Sequence, residues 1–342
     1  MSKTKKYISN FLLFAVLVWL TFYILLKDQN MGDLLNILGT VKIQFVIAGI
    51  GCMLGYFFCE TLNMKRTLTA LGEKVTMVKC YKYTLIGFFY SSITPAATGG
   101  QPMQIYYMHR DGIKAASSTL ALVMNLFSFQ VMSISMALIS MIFFSEYLDT
   151  ALKIFFVVGI TLNSMALTLL IIGIFSRKLS TGLVKIAIRI MRKLKVRKLH
   201  ERERTLAGSL LKYNGSAKYI RANRTIILKQ FITAFIQQVL FYSVPYCVCL
   251  AFGITGYNFI QIVALQSIVY ATVSGIPSPG AVGVSEGAFV SIFSHVFGHE
   301  IIKGAMLLNR GIGFYLFVFI CAIVVLANTF KAKKEDKLEV GK

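Results

Sequence analysis

The residues of this sequence that are best suited to chemistry are a few charged side chains inside or beside long apolar runs. Glu286 is the only charged residue between Phe259 and Ser294. Because an acid is expensive to bury at membrane depth, such a residue indicates a functional site. Two roles fit it, a counter-ion for a cationic lipid headgroup or a proton relay. The alternative is a loop carboxylate at the outer surface.

Three further charges lie next to apolar runs. Arg310 precedes the last run, where its guanidinium could hold a phosphate through two hydrogen bonds or simply anchor the chain at the interface. Glu60 ends the second run and is followed by Lys65 and Arg66, so it is either a buried site residue or part of an interfacial pair. Arg110 suits a phosphate and also suits the charge pattern of a cytoplasmic loop.

Two stretches of small, polar and helix-breaking residues interrupt the apolar pattern, SSITPAATGGQP at Ser91–Pro102 and SGIPSPGAVGVSEG at Ser274–Gly287. Irregular backbone at membrane depth persists only where protein or water satisfies its polar groups, so each break predicts a cavity. Paired breaks in the two halves of a chain point to a transporter's substrate site. The candidate binding residues are Thr94, Pro95, Thr98, Gly99, Gly100 and Gln101 in the first stretch, and Pro279, Gly280, Gly283 and Ser285 in the second.

The composition identifies the class of protein that must position these residues. The chain has 342 residues, of which 56% are hydrophobic and 15% charged, and its mean hydropathy is +0.69. These values indicate a polytopic membrane protein. The net charge of +22 follows from basic cytoplasmic loops and suits anionic headgroups, so we expect no direct binding of nucleic acid. The cysteine and histidine spacings indicate no metal site, and we expect no cofactor.

Charge and length together predict an all-α fold with about seven or eight membrane-spanning helices and both termini in the cytoplasm. Residues 176–225 carry fifteen Lys and Arg against two Glu, which predicts a cytoplasmic loop within a single integral-membrane domain over residues 1–342. In that loop, Leu183–Val196 is either an amphipathic surface helix or a solvated linker. The apolar runs long enough to cross are Ile8–Leu26, Phe45–Leu62, Ser117–Phe144, Ile154–Phe175, Phe231–Phe252, Phe259–Ile276 and Ile312–Phe330.

The charges of the loops fix on which side of the membrane each apolar run begins and ends. By this count each broken segment begins and ends on the same side. Tyr83–Ala116 must begin and end on the cytoplasmic side, and its first limb, Tyr83–Ile93, would be about 16 Å long, half of a bilayer. This predicts a re-entrant hairpin. Phe259–Phe297 would be a second hairpin that enters from outside, unless it forms a full extra helix pair. Two opposed hairpins would give an inverted repeat.

The T-x-x-x-T-G-G-x-P run that begins at Thr94 and the P-S-P-G-x-x-G-x-S-E-G run that ends at Gly287 resemble the membrane region of the lysylphosphatidylglycerol synthase/flippase family. The resemblance implies a multi-pass protein of the bacterial cell membrane that moves lysylphosphatidylglycerol or a related modified lipid. Such a protein would contribute to surface charge and to resistance against cationic antimicrobial peptides. Glu286 matches the acid of the second signature, whereas Gln101 and Gln104 stand where family members carry an acid and a base.

The resemblance also implies partners, namely anionic or aminoacylated phospholipids. In that family a separate soluble domain transfers lysine from lysyl-tRNA to the lipid. We expect no such aminoacyltransferase domain here, because the chain ends about a dozen residues after its last span. The chain by itself is therefore predicted not to be an enzyme. The alternative is a phosphatidylglycerol lysyltransferase or its membrane subunit, which would meet lysyl-tRNA through a separate synthase.

Overall fold

The computed structural model describes residues 38–175, 222–276 and 278–340, together with isolated positions at 182, 189, 215, 218 and 219. The predicted first span Ile8–Leu26 and the amphipathic stretch Leu183–Val196 lie outside the described residues.

Within these ranges the chain is helical and contains no strand, which confirms the all-α fold. Five segments of the described chain are long and apolar enough to cross a membrane: Ile43–Ala70, Ala115–Tyr147, Thr150–Ile171, Arg224–Ala251 and Pro279–Asn328. In chain order the helices are α1 Ile43–Ala70, α2 Met77–Ser92, α3 Gly100–Arg110, α4 Ala115–Phe144, α5 Thr150–Phe175, α6 Arg224–Tyr242, α7 Val244–Ala251, α8 Phe259–Val273, α9 Val284–Arg310 and α10 Leu316–Val340.

The helix boundaries follow from local sequence. Thr76 accepts a hydrogen bond from the backbone N–H of Lys79 and so caps α2. At α8, Asn258 and Gln261 form a reciprocal capping box, which satisfies two backbone donors that a helix start leaves free. Pro245 lies in the first turn of α7, where proline costs no helical hydrogen bond.

The first broken segment is a hairpin of α2 and α3, as predicted. Its two limbs meet at the open end, where Asp111 accepts hydrogen bonds from Lys82 and from Tyr83, both at 2.6 Å. Burial alone would raise the pKa of Asp111, but these hydrogen bonds and the neighbouring positive charges outweigh burial and hold the pKa below its usual range. The first limb begins at Met77, not at Tyr83, because the Thr76 cap starts the helix earlier. It is therefore 16 residues long, or about 24 Å.

The second broken segment is a hairpin of α8 and α9, and it does not form a full extra helix pair. Its open end is closed by Tyr257, whose hydroxyl donates to the backbone oxygen of His295 at 2.7 Å, and by ring contact between Phe252 and Phe297. The limb ends at Gly298, whose φ of 70° and ψ of 166° interrupt α9. From there the chain continues through a π-helical turn, Gly311–Tyr315, into α10.

The helices pack around several apolar clusters, and the largest of these includes both limbs of the second hairpin. Phe289 and Phe293 stack with ring centroids 4.5 Å apart, and Phe57 of α1 contacts the ring of Phe317. Because lipid is as apolar as these side chains, such helices associate through close packing and not through exclusion of water. The core thereby fixes the second hairpin against the spanning helices.

Candidate functional site

The two breaks adopt the same backbone turn, and they contact each other. In the first, Thr94–Ala97, the N–H of Ala97 donates to the oxygen of Thr94 at 3.2 Å; in the second, Ser278–Ala281, the N–H of Ala281 donates to the oxygen of Ser278 at 3.2 Å. The last two positions of each turn have positive φ, 51° and 53° at Ala96 and Ala97 in the first turn and 60° and 53° at Gly280 and Ala281 in the second. Two breaks far apart in the chain thus form one matched pair.

A cavity of about 290 Å³ opens where these turns meet. The spanning helices contribute Tyr56 and Phe129 to its wall. Tyr56 lies thirteen residues after the start of α1 and fourteen before its end, and Phe129 fourteen after the start of α4 and fifteen before its end. Since both residues lie at the midpoints of helices long enough to span a membrane, the cavity lies midway along these helices.

Aromatic rings from four helices form one wall of the cavity. The ring centroids of Tyr56 and Phe241 are 5.4 Å apart, those of Phe241 and Tyr270 are 5.9 Å apart, and those of Phe129 and Tyr270 are 6.0 Å apart. Beside them, Gln266 presents a buried side-chain oxygen that has no hydrogen-bond donor among the described residues. Aromatic rings together with an amide oxygen are groups that suit an ammonium ligand.

A buried charge cluster centred on Glu286 adjoins this cavity through Arg310, which lines it. Its carboxylate is 0% exposed, so it is not a loop carboxylate at the surface. One oxygen accepts from the backbone N–H of Gly283 at 2.8 Å and from Ser285 at 3.1 Å. The other accepts from Nε of Arg310 at 2.8 Å and from the hydroxyl of Tyr315 at 2.9 Å. Four donors therefore stabilise the charged carboxylate.

Arg310 connects this cluster with the cavity. Its Nη2 donates to the backbone oxygen of Gly280 at 3.1 Å, and its guanidinium lies 4.2 Å from the ring centroid of Phe314. The side chain is 14% exposed and lines the cavity, while the carboxylate of Glu286 lies behind it. Arg310 therefore lies within the apolar segment Pro279–Asn328, next to the π-helical turn. The charge that a ligand in the cavity meets is positive.

The remaining predicted residues of the second hairpin shape its backbone. Gly280 and Ser285 line the cavity, and Pro279 is buried at the start of the turn. A side chain on Gly280 would overlap the ring of Phe314, and its φ of 60° also favours glycine. Gly283 has a φ of 86°, which turns its N–H towards Glu286.

The predicted residues of the first hairpin act mainly within their own turn. Thr94 donates to the backbone oxygen of Tyr90 at 2.6 Å and accepts from the N–H of Gly99 at 2.9 Å. Thr98 donates to the oxygen of Pro95 at 2.9 Å, and both residues are exposed.

The paired glycines allow the two limbs of the first hairpin to approach closely. A Cβ on Gly99 would lie 2.7 Å from the side chain of Thr94, and one on Gly100 would overlap the hydroxyl of Ser91. Gln101 follows them on α3 and is partly exposed. The cavity wall nearby is formed by Ala96 and Ala97.

Glu60 and Arg110 are not brought to the cavity. Glu60 lies on α1 and is partly buried. It forms no ion pair with Lys65 or Arg66 among the described residues. Arg110 is exposed at the end of α3, where its guanidinium lies 5.0 Å from the ring centroid of Tyr107.

Sequence reasoning missed Tyr315 and the aromatic wall. Aromatic residues are frequent in membrane spans, so composition alone does not single out Tyr56 or Tyr270. Two signals were available. Gln266 and Asn309 are polar residues inside apolar runs, and both line the cavity. The two glycines that follow Arg310 also mark the π-helical turn that carries Tyr315.

Comparison with known proteins agrees with this architecture. Residues 7–321 match the family model described as the lysylphosphatidylglycerol synthase TM region. A protein described as a UPF0104 membrane protein, from Archaeoglobus fulgidus, is 21% identical over 294 residues, which cover 81% of this chain and 84% of the relative.

Proposed function

This chain belongs to the family of the lysylphosphatidylglycerol synthase transmembrane region, and from this premise we propose that it moves an amino-bearing phospholipid between the leaflets. The observation that carries the proposal is the cavity between the two breaks, whose lining combines one guanidinium, Arg310, with a cluster of aromatic rings. A phosphate and an ammonium group, joined in one headgroup, would find matching partners in this lining.

The cavity suits a headgroup and not a whole lipid. Its volume of about 290 Å³ lies just below the range for pockets that bind drug-sized ligands, about 300–1,000 Å³. The two acyl chains would therefore stay in the bilayer while the headgroup crosses through the protein. The cavity replaces part of the hydration that a charged headgroup loses in hydrocarbon, and this loss is the main barrier to unassisted crossing.

Within the cavity we assign the phosphate to Arg310 and the ammonium to the wall of Tyr56, Phe241 and Tyr270. Glu286 would not contact the headgroup in this arrangement, because Arg310 lies between the carboxylate and the cavity. Its role would be to hold the guanidinium in place. Lysylphosphatidylglycerol is the candidate lipid, and its delivery to the outer leaflet would lower the negative surface charge and hinder cationic peptides.

The test is lipid translocation in proteoliposomes with the variants Tyr270→Leu and Tyr270→Phe. Tyr270→Leu would lose a cation–π contact of about 0.5–2 kcal/mol, and the rate of lysylphosphatidylglycerol translocation should fall about 2- to 30-fold. Tyr270→Phe keeps the ring and should retain most activity. An impermeant amine reagent measures the lysyl lipid in the outer leaflet, and tail-labelled phosphatidylglycerol is the comparison lipid without an ammonium group.

Two results would contradict the proposal. If both lipids crossed no faster than in protein-free vesicles, the proposal that the chain transports lipid would be wrong. Equal slowing of both lipids by Tyr270→Leu would remove the ammonium site. Formation of lysylphosphatidylglycerol from lysyl-tRNA, by the purified chain or with a separate synthase, would instead favour the alternative that the chain is a lysyltransferase or its membrane subunit.

A further inference from the structure

A second polar site lies far from the cavity, at the membrane face where α1 ends and α6 begins. A groove of about 430 Å³ opens there. Basic and hydroxyl side chains share its wall with apolar ones: Leu62, Lys65, Arg66, Thr69, Ala70 and Ile226.

The guanidinium of Arg66 is held in place between the two helices. Its Nη1 donates to the side-chain oxygen of Asn63 at 2.7 Å and to the hydroxyl of Thr233 at 3.2 Å. Asn63 in turn donates to the backbone oxygen of Gln230 at 3.2 Å, and Gln230 donates back to the backbone oxygen of Asn63 at 3.1 Å. Arg66 is therefore positioned before any ligand arrives, which reduces the entropic cost of binding.

No carboxylate lies within 4 Å of Lys65 or Arg66 in the part of the chain that the structure describes. Next to Thr233 on α6, Ile232 is 51% exposed, and one turn earlier Leu228 is 61% exposed. Such exposed apolar side chains on a spanning helix face lipid. An arginine so close to the end of a spanning helix lies at headgroup level, where an anionic headgroup can neutralise it.

The charge of the neighbouring segment and the apolar walls of the groove together indicate which kind of anion would bind. Residues 176–225, which lead into α6, carry fifteen basic side chains and two acidic ones, so this segment adds positive charge. The groove also has apolar walls at Leu62 and Ile226, which a hydrated free phosphate would not use. An anion that carries hydrocarbon fits both parts of the groove.

We propose that this groove binds an anionic phospholipid of the adjacent leaflet, with its phosphodiester on Arg66 and Lys65 and an acyl chain along the exposed face of α6. Arginine favours such a phosphate because its planar fork offers two parallel hydrogen bonds. The site is separate from the cavity and does not depend on the proposed transport. It would hold a bound lipid even in a protein that moves none.

The test is native mass spectrometry of the purified full chain in detergent, titrated with phosphatidylglycerol or phosphatidylcholine. We expect phosphatidylglycerol to bind about ten-fold more tightly than phosphatidylcholine, since the phosphocholine headgroup carries its own cation. Arg66→Gln should weaken phosphatidylglycerol binding about ten-fold and remove this preference. Arg66→Lys should give an intermediate loss, because the charge stays while the fork is lost.

A second variant separates binding from folding. Thr69 is exposed at the edge of the groove, so Thr69→Glu adds an acid without touching the hydrogen bonds of Arg66. It should also abolish the preference for phosphatidylglycerol. Lys74→Glu is the matched control: Lys74 is exposed and outside the groove, and the change alters net charge by more than Thr69→Glu does. Its binding should match wild type.

Three results would overturn the proposal. One is wild-type binding of phosphatidylglycerol by both Arg66→Gln and Thr69→Glu. Another is an equal loss in the Lys74→Glu control, which would indicate a general charge effect. The third is displacement of the bound lipid by millimolar inorganic phosphate, which would indicate a site for a soluble anion.

Discussion

At the scale of single residues, the pairing of Glu286 with Arg310 changes what each can do. Both side chains were predicted from the sequence as separate ligands, one for a cation and one for a phosphate. The pairing itself could not be predicted, because 24 residues separate the two and the break at Gly298 decides whether they meet. In the structure the carboxylate of Glu286 accepts hydrogen bonds from four protein donors. The side chain of Arg310 lines the cavity.

This arrangement predicts that Glu286→Gln destabilises the protein by more than an ordinary polar substitution. The change leaves the buried guanidinium of Arg310 without its carboxylate, which costs about 3–5 kcal/mol in comparable buried pairs. The measurement is the free energy of unfolding of purified protein in mixed micelles. Glu300→Gln is the control, because Glu300 is an exposed acid on the same helix and should change stability by less than about 0.5 kcal/mol.

The pair is tested further by the double variant Glu286→Gln with Arg310→Met. Removal of both charges should restore part of the stability that Glu286→Gln loses, because no unpaired charge remains buried. If the double variant instead lost as much stability as Glu286→Gln and Arg310→Met lose together as single variants, the two side chains would not act as a pair.

At the scale of elements, the two breaks are the same device used twice. Thr94–Gly99 reads TPAATG and Ser278–Gly283 reads SPGAVG, and the two turns share their hydrogen bonds and their positive φ values. Glycine and proline make such breaks visible in a sequence. The lengths of the limbs were harder to predict, since charge marks the predicted start of the first limb at Tyr83, whereas α2 already begins at Met77.

The shared turn predicts opposite effects for two glycines of the second hairpin. Gly280→Ala should destabilise the protein, because a side chain there meets the ring of Phe314 and positive φ costs a residue with a Cβ about 1–2 kcal/mol. It should also slow lipid movement, since Phe314 supports Arg310. Gly287→Ala is the control, because its Cβ meets no atom within 4 Å. Alanine in place of a helical glycine should raise the free energy of unfolding by up to about 1 kcal/mol.

Unfolding in micelles and translocation in proteoliposomes, measured on the same preparations, check both halves of this prediction. If Gly280→Ala matched Gly287→Ala in both measurements, the positive φ at this turn would matter neither for stability nor for lipid movement. The break would then be a simple connection.

At the scale of the whole molecule, one spanning helix separates the open ends of the two hairpins. The backbone N–H of Lys42, just before α1, donates to the oxygen of Ala251 at 3.0 Å, and Ala251 precedes the open end of the second hairpin at Tyr257. The other end of α1, Ala70, leads directly into the first hairpin at Met77. The hairpins therefore enter from opposite faces and meet tip to tip at the cavity.

Charge counting on the sequence predicted this opposition, because it depends only on where basic residues collect. The cavity wall could not be predicted in the same way. Its four rings come from α1, α4, α6 and α8, and contacts between such distant segments leave no local pattern in the sequence. The orientation of the whole molecule in the membrane is the remaining prediction, with the first hairpin open to the cytoplasm.

Cysteine labelling in intact cells tests that orientation. Lys114→Cys reports on the open end of the first hairpin, where the Lys114 side chain is 66% exposed, and Gly256→Cys reports on the exposed loop at the second. An impermeant maleimide added outside should label Gly256→Cys at once and Lys114→Cys only after permeabilisation. The parent protein, with six native cysteines, gives the background. Labelling of both positions from outside would place the two open ends on one face and would contradict the tip-to-tip arrangement, whereas the reverse pattern would keep the arrangement and invert the protein in the membrane.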